Sequence, residues 1–339
     1  MEYRNGEVPA RAHPREFGAA AQAVSTKDFG DFHGVRIYCP ANPNHEDDAM
    51  TPNTLSEVGP IRRIVLRHPR DAFVDEARID AQWHRLNYLG RPDLGRALEE
   101  YERLVELIAM DGTEVHYLPA GDGLTLDSVY VRDAIIPSAG GAILCNMGKP
   151  ERRGEPATAA AHFAETGIQV AGAITGDGFI EGGDVTWLDD ATIVAGQGYR
   201  TNAEGIRQLG EILGPSVDIV VAPLPHWQGP DDVFHLMSML SPIDHDLALV
   251  YSPLLPVPFR QTLLERGMAF VEVPDEEFAS MGCNVLALAP RRAVMLSGNP
   301  VTRDRLEAAG VEVHVIEGDE ISQKGCGGPT CLTRPMERG

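Results

Sequence analysis

One short pattern recurs five times along the chain: an amphipathic helical stretch, a glycine, then an alternating apolar strand. The copies are YERLVELIAM–Gly112–TEVHYLP, AAAHFAET–Gly167–IQVAGAI, AEGIRQLGEIL–Gly214–PSVDIVVAPL, QTLLER–Gly267–MAFVEVP and DRLEAA–Gly310–VEVHVIE. Each glycine falls where a helix needs a left-handed residue to stop. Between the copies lie paired strand-like runs broken by turn residues, such as DAIIPSAGGAILCNM, DVTWLDDATIVAGQG and NVLALAPRRAVMLSG. The repeating unit is therefore strand, strand, helix, strand, with IRRIVLRHP opening the first. Helix–glycine–strand also occurs in ordinary open α/β sheets, but five copies at near-regular spacing favour radial closure. Closure hides sheet edges and brings loops of all five units around one centre. Residues 1–50, rich in Pro, Ala, Asp, His and Asn, show no period and read as a partly irregular extension ahead of a single domain over 51–339.

Composition narrows the partners. The 339 residues carry 29 Lys and Arg against 50 Asp and Glu, a formal charge of −21. Nucleic-acid backbones and anionic membranes are bound by clustered cations, so this balance argues against both and suits a cationic small substrate. No 18-residue apolar run is present and the first residues lack an apolar signal core, so a cytoplasmic protein is expected. Five cysteines argue against a disulfide framework. Self-association is left open.

Several segments carry chemistry. In GCGGPTCLTRP, glycines 325, 327 and 328 and Pro329 shape an unusual backbone beside Cys331. In FIEGGDV, two glycines permit close backbone approach and aim Glu181 into a cavity. His235 stands in VFHLMSML, where an ordinary core histidine is the plainer reading, and its neighbours Phe234, Leu236, Met237 and Met239 read as packing. Asp127 and Asp133 in DSVYVRD are six apart, so on a strand both would face one side. ERRGEP supplies Arg152 and GYRTN supplies Arg200, each alone no more than a surface charge. Together these give a thiol, an imidazole, acids that can hold a planar cation and arginines that can clamp a carboxylate. A guanidino amino acid fits that inventory.

The ordered set SEVGPIRRIVLRHP, DSVYVRD, ERRGEP, IEGGDV, GYRTN, VFHLMS and GGPTCLTRP, over about residues 55 to 335, resembles the guanidino-group-modifying superfamily: arginine deiminases, dimethylarginine dimethylaminohydrolases and amidinotransferases. The resemblance implies a five-bladed α/β propeller of ββαβ units around a polar core. It implies Cys331 as nucleophile, His235 as general acid/base and Glu181 in contact with His235 and the guanidinium. It further implies Asp133 on the guanidinium nitrogens, Asp127 on the substrate α-amine, and Arg152 and Arg200 on its α-carboxylate. A cysteine-bound amidino-thioether would hydrolyse to a ureido product, with no metal or organic cofactor. Met237, two residues after His235, stands where deiminases place an aspartate, and it implies apolar space for methylated arginine; the stretch 70–110 lacks room for the deiminases' helical insertion. Arg132 before Asp133 is deiminase-like. Amidinotransferases tend to carry aspartate in place of Glu181, which puts hydrolysis ahead of amidino transfer; a non-enzymatic guanidino sensor is the remaining alternative. Cys326, five residues before Cys331, either replaces a small residue or forms a redox lock with it.

Overall fold

The computed structural model describes residues 55–339 except Val233, so the extension expected over 1–50 lies outside the described residues. Among the described residues, fifteen strands form five three-stranded sheets. Sheet I holds Ile61–Leu66 between Thr333–Arg338 and Glu114–Tyr117, and sheet II holds Gly141–Leu144 between Ile135–Ser138 and Val170–Ala173. Sheet III centres on Thr192–Gln197, flanked by Val185–Asp189 and Asp218–Pro223. In sheet IV, Leu247–Val250 lies between Leu240–Asp244 and Ala269–Glu272; in sheet V, Arg292–Leu296 lies between Leu286–Ala289 and Glu312–Ile316.

Every sheet has the same wiring. The middle strand pairs antiparallel with one neighbour and parallel with the other. A parallel neighbour demands a crossover, whose longest helix in each unit is Leu94–Ala109, Glu155–Thr166, Ala203–Leu213, Val257–Glu265 or Pro300–Ala308; in the first unit the shorter Pro69–Ala72 and Glu76–Gln82 precede it. The unit read from the sequence is thus the unit found. In sheet I the antiparallel partner comes from the far end of the chain, so the last strand completes the first unit.

The helices bury the face their sequences present. In Leu94–Ala109 the buried residues Ala97, Tyr101, Leu104 and Ile108 recur at helical spacing, and Asp93 caps the start by accepting from the Arg96 amide at 2.8 Å. Each helix is followed by its expected glycine, with φ between +76° and +83° at residues 112, 167, 214, 267 and 310. A Cβ built on Gly112, Gly167, Gly214 or Gly267 meets nothing within 4 Å, so backbone conformation rather than space requires glycine there. Gly214 departs from the left-handed helical cap, since its ψ of 177° is extended.

Three clusters of buried apolar side chains link the sheets. One joins sheets I, II and III through residues such as Val65, Ile143 and Ile193, and a second joins III, IV and V through Val194, Leu249 and Met295. The third packs sheet V on sheet I, through Leu286, Val294, Ile64 and Leu66.

One local expectation fails. Asp127 and Asp133 lie not on a strand but in two successive 3-10 turns, Leu126–Val129 and Val131–Ala134. The Ser128 hydroxyl donates to the Thr125 carbonyl at 2.7 Å, and the Tyr130 amide donates to the Asp127 carbonyl at 2.9 Å. These local hydrogen bonds compete with strand pairing.

Candidate active site

Four connections between strands converge at one end of sheets II, III and IV and beside the C-terminal strand. The turn Gly182–Asp184 is hemmed in on all sides: a Cβ on Gly182 would collide with the Arg132 carbonyl, and one on Gly183 would lie 2.6 Å from both Asp133 Oδ1 and His235 Nδ1. The glycine pair therefore lets Asp133 and His235 approach each other across the IEGGD backbone. This is the close approach expected from the motif.

His235 is buried between two acids. Its Nε2 lies 2.8 Å from Glu181 Oε2 and its Nδ1 lies 3.9 Å from Asp133 Oδ1. Burial alone would depress the imidazole; Asp133, Asp184 and Glu181 outweigh it and raise its pKa to about 9, so the ring is an imidazolium at neutral pH. Burial pushes the Glu181 carboxyl up, but the His235 hydrogen bond and the Arg200 guanidinium hold it well below the usual carboxylate range. Glu181 Oε1 also accepts from the Lys149 amide at 3.0 Å, and Oε2 lies 3.2 Å from Arg200 Nη1. Asp184, buried behind His235, accepts from the Leu236 amide at 3.0 Å, and desolvation raises its pKa to about 6.

Asp133 is held from one side only. Its Oδ2 accepts from Arg152 Nη1 at 2.5 Å, while Oδ1, equally buried, receives no hydrogen bond from the described residues. Arg152 itself is fully engaged. Nε and Nη2 make a bidentate pair with Glu155 at 2.8 Å each, and Nη2 also donates to the Tyr130 carbonyl at 2.8 Å. A free clamp for a substrate carboxylate was expected of Arg152, but Glu155, three residues on, directs the guanidinium onto Asp133.

The cysteine loop is set by its neighbours. A Cβ on Gly325 or Gly327 would strike the Tyr130 ring, and one on Gly328 would lie 2.5 Å from Asn284 Oδ1. Tyr130 is fixed in turn by donating to the Ile321 carbonyl at 3.0 Å. Asn284 Nδ2 donates to Cys331 Sγ at 3.3 Å, while its Oδ1 accepts from the Thr330 amide at 3.0 Å and hydroxyl at 2.7 Å. Burial and the nearby Asp133 push the Cys331 thiol above its ordinary value, and the Asn284 hydrogen bond and Arg132 only partly offset this. Cys331 and Cys326 are both free thiols.

These groups share a cavity of about 510 Å³, whose walls include Cys331, His235, Asp133, Arg152, Arg200 and Asp127. Six of the seven residues singled out in the sequence thus line one space, and the seventh, Glu181, is fully buried behind His235. Cys326 lines it too, at a φ of +59°. Met237 does not: it is buried outside the cavity, beside Arg132 and Thr330, so the apolar space expected from it lies away from the site. Arg132 is likewise directed elsewhere, its Nε on the Thr330 carbonyl at 2.8 Å and its Nη1 3.4 Å from Glu57. Lys149 and Asn284 were not anticipated. Lys149 stands three residues before Arg152, with Nζ 2.7 Å from Asp127 Oδ2; neither residue belongs to a charge or spacing pattern that would have marked it.

Asp133, Glu181 and His235 offer three ligand atoms within 4.8 Å of one another. A metal there would have to displace the proton that two carboxylates hold on His235, while both carboxylates already face arginines. The donor set suits a planar organic cation better than a divalent ion.

A family profile described as N,N dimethylarginine dimethylhydrolase, eukaryotic, matches residues 77–338. The chain belongs to the dimethylarginine dimethylaminohydrolase family. It is a hydrolase of C–N bonds in linear amidines, as are the curated enzymes of this group. It is 31% identical over 243 residues to the dimethylarginine dimethylaminohydrolase of Streptomyces coelicolor, covering 71% of this chain and 86% of that one. It is also 30% identical to the uncharacterized protein YkgA of Bacillus subtilis, over 84% of this chain and 94% of that one. The solved Pseudomonas aeruginosa enzyme in complex with citrulline superposes with a TM-score of 0.64 at 25% identity, covering 81% of this chain and 98% of its own. The N-terminal domain of ArgZ, an arginine dihydrolase from cyanobacteria, shares the fold with a TM-score of 0.69 at 20% identity, covering 81% and 98%. Among the described residues no helix is long and apolar enough to cross a membrane.

Proposed function

We propose that the protein hydrolyses the guanidino group of arginine or N-methylated arginine through a covalent intermediate on Cys331, giving citrulline and ammonia or a methylamine. The observation that carries this reading is the unsatisfied Asp133 Oδ1, buried in the cavity wall with His235 and Cys331. A buried carboxylate oxygen without a donor is costly, and a guanidinium N–H satisfies it. Amidinotransfer, the alternative, uses the same thioether but needs an acceptor amine.

The charges of the site's own residues support the order of events. Cys331 rests as a thiol and His235 as an imidazolium. A bound guanidinium adds positive charge beside Cys331, opposes the influence of Asp133 and favours the thiolate, the thiol proton leaving to solvent. The sulfur then attacks the guanidino carbon while Asp133 fixes the plane of the cation and Glu181, behind His235, holds the imidazole in place. His235 gives its proton to the departing amine, the C–N bond breaks, and an amidino-thioether remains on Cys331. The neutral imidazole, still oriented by Glu181, takes a proton from water as it adds to the thioether carbon. Loss of the sulfur releases the ureido product, and the hydroxyl proton freed as the carbonyl forms restores the Cys331 thiol beside the imidazolium. In this reading Arg152 acts through Asp133, and Arg200 contributes its cavity-facing donors to the substrate carboxylate.

We read the five sheets as blades of a closed α/β propeller forming one catalytic domain from about residue 51. The clusters linking sheets I through V and V back to I support closure, as does the last strand seated in the first sheet. The functional test is incubation with arginine and with dimethylarginine, followed by assay for citrulline. Citrulline formed without an added amine, and lost in Cys331→Ser, is expected; no citrulline from either substrate would overturn the reading, and strict dependence on an acceptor amine would convert it to amidinotransfer.

A further inference from the structure

Before the first strand of sheet I the chain bends over residues 57–59, with Glu57 and Val58 buried and the Gly59 amide donating to the Ser56 hydroxyl at 3.3 Å. The acid of this SEVGP stretch has no part in the proposed mechanism and does not line the reaction cavity. It lies against guanidiniums instead. Arg132 Nη1 and Nη2 each stand 3.4 Å from a Glu57 oxygen, and Arg334 Nη1 stands 3.8 Å from Oε1. All three side chains are buried. Burial pushes the Glu57 carboxyl up, but Arg132, Arg334 and Arg338 outweigh it and hold it below its ordinary value, so it is a carboxylate.

The remaining donors of Arg132 and Arg334 reach the three turns that build the site. Arg132 Nε donates to the Thr330 carbonyl at 2.8 Å, immediately before Cys331, and the Arg132 amide donates to the Cys331 carbonyl at 3.2 Å. Arg334 Nη2 donates to the Arg132 carbonyl at 3.1 Å, immediately before Asp133. It also donates at 3.0 Å to the Gly182 carbonyl, in the turn pressed against Asp133 and His235. One carboxylate outside the cavity thus stands behind the cysteine loop, the Asp133 turn and the glycine pair. The charge balance is narrow: burial and the neighbouring Arg132 pull the Arg334 guanidinium down to about 9 even with Glu57 beside it.

We infer that Glu57 is a positioning residue of the reaction, acting through Arg132 and Arg334 to hold Cys331, Asp133 and His235 in register for attack. This rests on the proposed guanidino hydrolysis and adds to it a residue behind the cavity. Without the carboxylate the two guanidiniums repel each other in a poorly screening interior. Each can relieve that repulsion only by drawing back from the carbonyls it holds, which moves the turns that carry the reacting groups. Glu57 touches no group of the cavity wall directly, so substrate binding is spared while the approach of sulfur to the guanidino carbon is not. A misplacement of about 1 Å at the reacting atoms costs about a hundredfold in rate.

The experiment compares wild type with Glu57→Gln and Glu57→Asp, measuring citrulline formation from the plain or methylated arginine that wild type turns over. Circular dichroism and thermal unfolding fix the folded fraction at the assay temperature. Glu57→Gln, which keeps the shape and removes the charge, should lose about a hundredfold in kcat per folded molecule with KM within about threefold of wild type. Glu57→Asp, which keeps the charge but sets it one methylene further back, should lie between the two, about tenfold below wild type in kcat. A role confined to stability would lower the melting temperature and leave kcat per folded molecule unchanged. Folded Glu57→Gln with the kcat of wild type, a loss confined to KM, or a Glu57→Asp as slow as Glu57→Gln would overturn the inference while leaving the hydrolase reading intact. If Glu57→Gln fails to fold, Glu57→Asp decides: a lowered kcat at unchanged KM supports the inference, and the kcat of wild type overturns it. No citrulline from wild type with either arginine would instead overturn the proposed function and the role of Glu57 with it.

Discussion

Replacing Glu181 with Gln removes one charge and almost no volume from beneath His235, and its effect can be worked from the geometry. The imidazole is raised from its ordinary 6.5 to about 9, against burial that pulls the other way. A displacement of that size corresponds to about 3 kcal/mol of differential stabilisation of the imidazolium. Glu181 makes its direct hydrogen bond, at 2.8 Å, whereas Asp133 stands 3.9 Å away. With Glu181 neutral, its hydrogen bond and charge are lost while Asp133 and Asp184 remain, so His235 should titrate lower than in wild type. The sign of the stability effect follows. Because the folded pKa is raised, the protonated ring contributes its full stabilisation below about pH 6.5 and loses it as pH rises through about 9. Wild type should therefore unfold more readily at pH 10 than at pH 6, by about 3 kcal/mol from this group, and Glu181→Gln should flatten that slope. Proton NMR of the His235 ring across pH 5 to 11 and urea unfolding at pH 6 and pH 10 test both parts. A His235 that titrates in Glu181→Gln where it does in wild type would refute the contribution of Glu181 to its charge state.

Three further outcomes follow from the contacts described. Gly183→Ala should cut kcat by at least about a hundredfold, because its methyl would sit 2.6 Å from both Asp133 Oδ1 and His235 Nδ1; steady-state kinetics with circular dichroism as a folding control reads it. Gly112→Ala should cost only about 1 kcal/mol in chemical denaturation and leave kcat/KM unchanged, since its φ of +78° is strained for alanine but the added methyl meets nothing. Asn284→Ala should raise the Cys331 thiol further, by removing its 3.3 Å donor. The pH dependence of iodoacetamide alkylation should then shift upward, and kcat/KM should fall about tenfold at neutral pH.

The repeat was legible because its marker is conformational. Five helix ends need positive φ, only glycine adopts it freely, and the same residue therefore reappears whatever the packing around it. The glycine pair at 182–183 was legible for a related reason, since close approach leaves no room for a side chain. The Asp127–Asp133 stretch was misread because period-two spacing says nothing about the Thr125 and Ser128 hydrogen bonds that wind it into turns. Met237 was misplaced because its position after His235 fixes distance along the chain but not which side of the Thr330 loop it faces. Arg152 carries a signal that could have been used: Glu155 three residues on can form a bidentate pair with it. Lys149 and Asn284 acquire their roles only when distant turns meet, at Asp127 and at Thr330, and no local pattern encodes those meetings.

The central claim is that Cys331 forms a covalent bond to the substrate's guanidino carbon. Acid-quenched turnover followed by peptide mass spectrometry tests it most directly. The account predicts an amidino adduct on the peptide that carries Cys331, formed at the rate of turnover and absent from Cys331→Ser; citrulline production with no adduct there, or undiminished in that variant, would contradict it.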